Sequence, residues 1–173
     1  FDLTPQVLEL GHSVLSAKGV WEIAKPFIDQ LSAETQESVS AAILDKFDVV
    51  YVSGAQYHRV ISVGISIGAR FPAHCTANGR VLLAAQPEDR WADMLRNIEL
   101  TKMTEKTVTD PKKFRKILEQ VRDQGWSFVD QELEIGLRSI SAPVKTESGI
   151  LVGAINIGVP TLRMSPEEIV SDV

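Results

Sequence analysis

Cysteine is almost absent from this 173-residue chain: Cys75 is the only one, so no internal disulfide can form. The three histidines, His12, His58 and His74, are scattered. No Cys or His pair sits at the short spacing of a zinc site, and no metal or cofactor is expected. No apolar run reaches the length of a membrane span, and the opening FDLTPQVLEL lacks the basic-then-apolar pattern of a signal peptide. A cytoplasmic location is the expectation. Neither GxGxxG nor GxxxxGK[ST] occurs, which excludes the common nucleotide loops. A basic excess is also missing, since 18 Lys and Arg face 23 Asp and Glu for a net charge of −5. A bare nucleic-acid reader carries a basic face, so any DNA contact is expected from elsewhere or from a local surface. The first residue is Phe1, and the chain stops inside the helix-like SPEEIVSDV. We therefore read it as a piece of a longer chain.

What is present suits one globular domain, with 44% hydrophobic residues and enough length to bury a core. Thr4-Pro5 reads as a helix start, and Val7, Leu8, Val14 and Leu15 form a stripe along the segment that follows. A second helix fits 20–35, with Pro26 as a possible kink and Ile23, Phe27, Ile28 and Leu31 facing inward. Strands are expected at 38–45, 49–54 and 57–68, the last alternating Val60, Ser62, Gly64 and Ser66 against Ile61, Val63, Ile65 and Ile67. Helices follow from near Thr76, over PEDRWADMLRN and over DPKKFRKILEQVRDQG. Strands then fit 126–131, 137–144 and 150–158, and Ser165-Pro166 opens a last helix. Helices and strands come in blocks joined by short hairpins. The expected class is therefore α+β, a mostly antiparallel sheet with helices packed on it.

Candidate chemistry centres on GARFPAHCTANGRVLLA, residues 68–84. Cys75 as a nucleophile needs a base nearby. His74 is a poor one, because neighbours in an extended segment point to opposite faces. The alternative is a small buried hydrophobe. Thr76, Ala77, Asn78 and Gly79 have little bulk and open a helix. Such a start attracts anions through its free N–H groups and the helix dipole; equally, Thr76 serves simply as a cap. In the apolar strand ILVGAINIG, Val152, Ala154, Asn156 and Gly158 share one face, as do Leu137, Ser139 and Ser141 in LRSISAPV. A buried Asn156 needs a partner, because an unpaired amide costs about 1–3 kcal/mol. A ligand, a water or a loop carbonyl would serve. The carboxylates of DQELE, residues 130–134, are either a solvated run or acceptors for ligand hydroxyls.

Three ordered segments resemble IclR-family transcriptional regulators. GARFPAHCTANGRVLLA is similar to that family's G-x-R-x-P-x-x-x-[ST]-x-x-G-[KR]-x-L-L-A segment. QGWSFVDQELEIGLRSISAPV and GILVGAINIGVPTLRMSPEEI resemble the second and third hallmarks of the C-terminal effector-binding domain. DQELEIGLRSI and TxxGRVLLA are most similar to the PcaR/PobR-like branch, whose members sense aromatic acids or their ring-cleavage products. The resemblance implies a GAF-like fold over 19–173. It also implies a linker helix over 1–18 and a winged helix-turn-helix domain before Phe1 that reads operator DNA. The implied ligand is a small organic acid, and the implied assembly a homodimer or homotetramer, with the linker helix and the face of 57–67 as surfaces. Carried over residue by residue, the loop positions are Thr76, Ala77 and Asn78. The strand positions are Ser139, Asn156 and Gly158, with Leu137 as an apolar wall, and Asp130, Gln131 or Glu132 stands near the mouth. Better-known small-acid sensors carry a cysteine at the place of Ser139 and serines at those of Asn156 and Gly158. HCTANG stands here where a form such as YCTSMG is usual. No membrane contact and no catalysis are expected. The alternatives are a GAF-like enzyme using Cys75 and a ligand-free dimerisation module.

Overall fold

Helix starts and stops follow local chemistry. The computed structural model describes residues 19–58 and 66–172. Helix α1 (Val20–Thr35) ends where Gln36 turns left-handed. Helix α4 (Pro111–Gln124) begins under Asp110, whose side chain accepts from the Lys113 N–H, and ends at Gly125 with φ 84°, a conformation glycine adopts without a Cβ penalty. Between them lie α2 (Ala77–Ala84), which a short 3₁₀ turn (Ala73–Cys75) precedes, and α3 (Glu88–Asn97). A final helix, α5, spans Pro166–Asp172.

The strands are β1 (Ser38–Asp45), β2 (Asp48–Ala55), β3 (Arg70–Pro72), β4 (Ser127–Asp130), β5 (Leu137–Lys145) and β6 (Leu151–Pro160). They form one sheet in the order β3-β2-β1-β6-β5-β4, and every pairing is antiparallel. The expected α+β class with an antiparallel sheet is what folds.

Period-two alternation gives each face its own core. Ala42, Val49, Tyr51 and Ala154 face Leu82, Leu83, Phe114 and Leu118 of α2 and α4. On the other side Val39, Ala41, Ile157 and Val159 pack against Trp21 and Ile28 of α1 and Ile169 of α5. Small residues sit where layers touch. A Cβ on Gly79 would stand 2.1 Å from the Ala73 carbonyl oxygen, and one on Gly153 would stand 2.6 Å from the Trp21 ring. Gly79 lets the first turn of α2 rest on the 3₁₀ turn.

Two expectations are corrected. Ile23 and Phe27 do not face inward: they are 71% and 68% exposed, while Trp21 and Ile28 carry the buried stripe of α1. The apolar positions of this helix are split between two faces, and only one of them meets the sheet. Ile67 and Gly68 form a turn rather than the end of a strand, and the short β3 follows. The linker helix over 1–18 and the heart of the strand expected at 57–68, residues 59–65, lie outside the described residues.

Candidate effector site

The site grows from the turn after Pro72. Thr76 is extended, and its hydroxyl accepts the Gly79 N–H at 3.1 Å. That cap satisfies one donor of the first turn. The N–H groups of Ala77 and Asn78 have no acceptor within the helix, as at any helix start. This tip is inside the protein, with Ala77 and Asn78 each only 1% exposed.

Directly beneath it lies a polar patch on the sheet. The register places Ser40 opposite Asn156 and Ser38 opposite Gly158, and Ser141 and Ser139 opposite the same two β6 residues. All are on the α2 face. Asn156 Oδ1 accepts from the Ser40 hydroxyl at 2.6 Å and from Asn78 Nδ2 at 2.9 Å. The Ser141 hydroxyl lies 2.7 Å from Asn78 Oδ1 and 2.8 Å from the Ile155 carbonyl, which share its proton. The partner that the buried Asn156 required is therefore internal. Every contact of its side chain falls on Oδ1, and its amide N–H₂ has no partner among the described residues.

Between tip and sheet lies a cavity of about 20 Å³, lined by Tyr51, Cys75, Thr76, Val129, Leu133, Leu137, Ser139, Asn156 and Gly158. It has room for little more than a water or a carboxylate-sized group. No cation lines it. Burial pushes the Tyr51 hydroxyl up to about 12, against the opposing effect of its hydrogen bond with Asn78, so Tyr51 is a neutral donor there.

The fold brings together Thr76, Leu137, Ser139, Asn156 and Gly158 around this cavity. Ala77 and Asn78 are not among its lining residues; Asn78 meets it only through its hydrogen bond to Asn156. Asp130 and Glu132 are not among its lining residues. Val129 faces the cavity, so Asp130 points to the other side of β4, where it pairs with Arg138 at 2.8 Å and Lys106 at 2.6 Å. Burial pushes the Asp130 carboxyl up, but the hydrogen bonds from Lys106, Arg138 and Gln131 outweigh it and hold the group below the usual carboxylate range. Glu132 is drawn inward by Arg80 at 2.6 Å and accepts from the Val108 N–H at 2.9 Å. Gln131 has φ 61° and accepts the Gly136 N–H. The acidic stretch thus pins the loop that carries Leu133 instead of presenting carboxylates to the cavity.

Cys75 is fully buried, and burial pushes its thiol up to about 12. His74 points its Nε2 at the Thr101 carbonyl, 2.9 Å away, and burial lowers its pKa. The pair has neither the contact nor the poise of a nucleophile and its base. Among the described residues no cluster of His, Cys, Asp and Glu is fit to hold a metal. Sequence reasoning missed Tyr51 and Leu133 as lining residues. It also missed Ser38 and Ser40, although two serines at alternate positions of the apolar SVSAAILD were a signal.

The family of bacterial transcriptional regulator IclR C-terminal domains matches residues 12–172. The chain belongs to it. This IclR C-terminal domain is 39% identical to the Pca regulon regulatory protein of Pseudomonas putida, covering 98% of the chain and 58% of that protein. It thus spans about three fifths of the length of that relative. A transcriptional regulator structure from Rhodococcus sp. RHA1 superposes with a TM-score of 0.92 at 44% identity, over 98% of this chain and 69% of that one. The inducer-binding domain of an Acinetobacter PobR double mutant, in complex with 3-hydroxybenzoic acid, superposes with a TM-score of 0.81 at 28% identity, over 87% of this IclR C-terminal domain and 88% of its own chain. No helix among the described residues is long and apolar enough to cross a membrane.

Proposed function

We propose that this IclR C-terminal domain senses a small organic acid, and that the ligand's carboxylate lies between the tip of α2 and Asn156. The observation that carries the reading is the Asn156 amide. Asn156 is 6% exposed, its side-chain oxygen accepts two hydrogen bonds while its N–H₂ has no partner among the described residues, and it lines a cavity that Thr76 at the helix tip also borders. A donor with no protein partner is open to a ligand oxygen, and a helix N-terminus favours an anion. An aromatic acid or one of its catabolites is the preferred class. The bound 3-hydroxybenzoic acid of the PobR domain supports it, as does the relative that activates p-hydroxybenzoate hydroxylase transcription in Acinetobacter baylyi, 31% identical.

In this reading binding shifts the arrangement of subunits and, through a preceding winged helix-turn-helix domain, the grip on operator DNA. That coupling needs two states with different affinity for the acid. A homodimer or homotetramer is the assembly we propose, and the exposed Ile23 and Phe27 on α1 support a surface made to be covered. The domain acts in the cytoplasm and catalyses nothing. Calorimetric titration with a panel of aromatic and aliphatic carboxylates tests the reading: at least one binds at micromolar to millimolar concentration and its amide counterpart does not. A folded protein that binds none of them contradicts it.

A further inference from the structure

Asn156 and Gly158 border a second hollow. Beside them lies a space of about 100 Å³, lined by Ser38, Val39, Ser40, Gly54, Ala55, Gln56, Ile67, Asn156 and Gly158. Ser38, Ser40, Gly54, Asn156 and Gly158 occupy paired positions on one face of β1, β2 and β6, the same face that floors the tip cavity. The pairing shift between Ala41 and Ala42 is what lets both Tyr51 and Gly54 of β2 face α2, one at each hollow. The two hollows therefore adjoin, as two lobes, at Asn156 and Gly158 on one face of the sheet.

Volume divides the labour between them. The tip lobe, at about 20 Å³, takes a carboxylate and no more. The space of about 100 Å³ that shares Asn156 and Gly158 with it is the one open to the body of such an acid. That lobe is floored by residues with almost no side chain, and its polar atoms are neutral. The Ser38 hydroxyl oxygen accepts the Tyr57 N–H at 3.4 Å, and its proton has no acceptor among the described residues. Ser40 spends its proton on Asn156. Neighbouring strands are about 4.8 Å apart, so Ser38 stands one to two strand spacings, about 5–10 Å, from a carboxylate at the tip.

Building on the effector reading above, we propose that Ser38 is a specificity-determining residue. Its hydroxyl donates to an uncharged acceptor oxygen, a hydroxyl or ketone, at the end of the effector remote from the carboxylate. An acid of matched length without that oxygen leaves the donor unpaired and binds more weakly. A second carboxylate finds no positive charge among the described residues that line the lobe.

Calorimetry on this chain with two matched pairs tests the assignment: benzoate against 4-hydroxybenzoate, and hexanoate against 5-oxohexanoate. In at least one pair the oxygenated acid binds tenfold or more tightly than its parent. Ser38→Ala brings that ratio below threefold while leaving the parent acid's affinity within threefold of the unaltered protein. Ser38→Leu fills the lobe and weakens both members tenfold or more, with circular dichroism and melting temperature reporting whether the fold is kept; if it is not, the Ser38→Ala ratio decides alone. Equal affinities within both pairs, or a ratio that survives Ser38→Ala, overturn the role of Ser38 and leave the effector reading standing. Failure of the unaltered, folded protein to bind any of the four acids overturns both.

Discussion

Asn78 Nδ2 donates to Asn156 Oδ1 across 2.9 Å, and this contact ties the first turn of α2 to the middle of β6. It joins residues remote in sequence, of which Asn156 lines the cavity. Each oxygen in the patch also has a second role: Asn156 Oδ1 receives Ser40, and Asn78 Oδ1 receives Ser141. This patch is held by neutral hydrogen bonds, so an anion at Asn156 meets no competing charge among the described residues that line the cavity.

Asn156 variants separate structure from recognition. Asn156→Leu strands the donors of Ser40 and Asn78 and is expected to destabilise the fold by about 1–3 kcal/mol, read by urea unfolding. Asn156→Asp keeps the accepting oxygen but replaces the free N–H₂ with a negative charge. We expect it to unfold closer to the unaltered protein and to lose acid binding tenfold or more in calorimetry.

The Arg80–Glu132 pair is buried, with side chains 3% and 10% exposed. Arg80 also donates to the His74 carbonyl, so it fastens both the turn before α2 and the loop that carries Leu133. Arg80→Met leaves a buried carboxylate without its cation, and the expected loss is about 3–5 kcal/mol. Replacing both partners with apolar residues, Arg80→Met with Glu132→Leu, is expected to recover part of that loss in the same unfolding measurement.

Cys75 and Tyr51 predict an alkaline limit. Burial raises both groups, the thiol from an ordinary value of 9.0 and the phenol from 10.0, each to about 12. A raised value means that the folded state favours the protonated, neutral form. The resulting stability is fully present below pH 9 and is lost as pH climbs from 9 toward 12. Denaturation at pH 8, 10 and 11 is expected to show this fall, and Cys75→Ala or Tyr51→Phe to flatten it. Iodoacetamide at pH 8 is expected to label Cys75 only after unfolding.

Gly79→Ala places a methyl group within 2.1 Å of the Ala73 carbonyl oxygen. Either α2 or the 3₁₀ turn must move, and we expect a loss of at least 1–3 kcal/mol, about what overpacking a filled core costs. Gly19→Ala, where the added carbon meets nothing within 4 Å, is the control and is expected to change the melting temperature little.

Much of this was legible in the residues, and what was not has physical reasons. Asp110-Pro111 and Gly125 announced α4 because caps are local chemistry. Thr76 was read both as a cap and as part of an anion site, and both readings rest on one geometry: the hydroxyl serves Gly79 while the preceding donors stay open. Alternation placed Asn156 and Gly158 on one face of their strand and Ser139 with Ser141 on one face of theirs, by the parity rule; the register that brings the two faces together is a property of the pairing. The same rule, applied one strand earlier, would have sent Asp130 away from Val129 and the cavity. Glu132 was beyond such rules, because its position depends on Arg80, 52 residues away. Ile23 and Phe27 misled because apolar spacing on a helix does not say which of two apolar faces meets the sheet. Gly54 shares the α2 face with Tyr51 only through an irregularity in the pairing of β1 with β2, which no spacing reveals.

The central claim is that backbone and amide donors, not a cation, hold the acid. Amide-resolved NMR during titration with 4-hydroxybenzoate reads it most directly. We predict saturable shifts at the backbone N–H of Ala77 and Asn78 and at the side-chain N–H₂ of Asn156, all fitting one affinity. Saturable shifts confined to another surface, with those three signals unmoved, would contradict it.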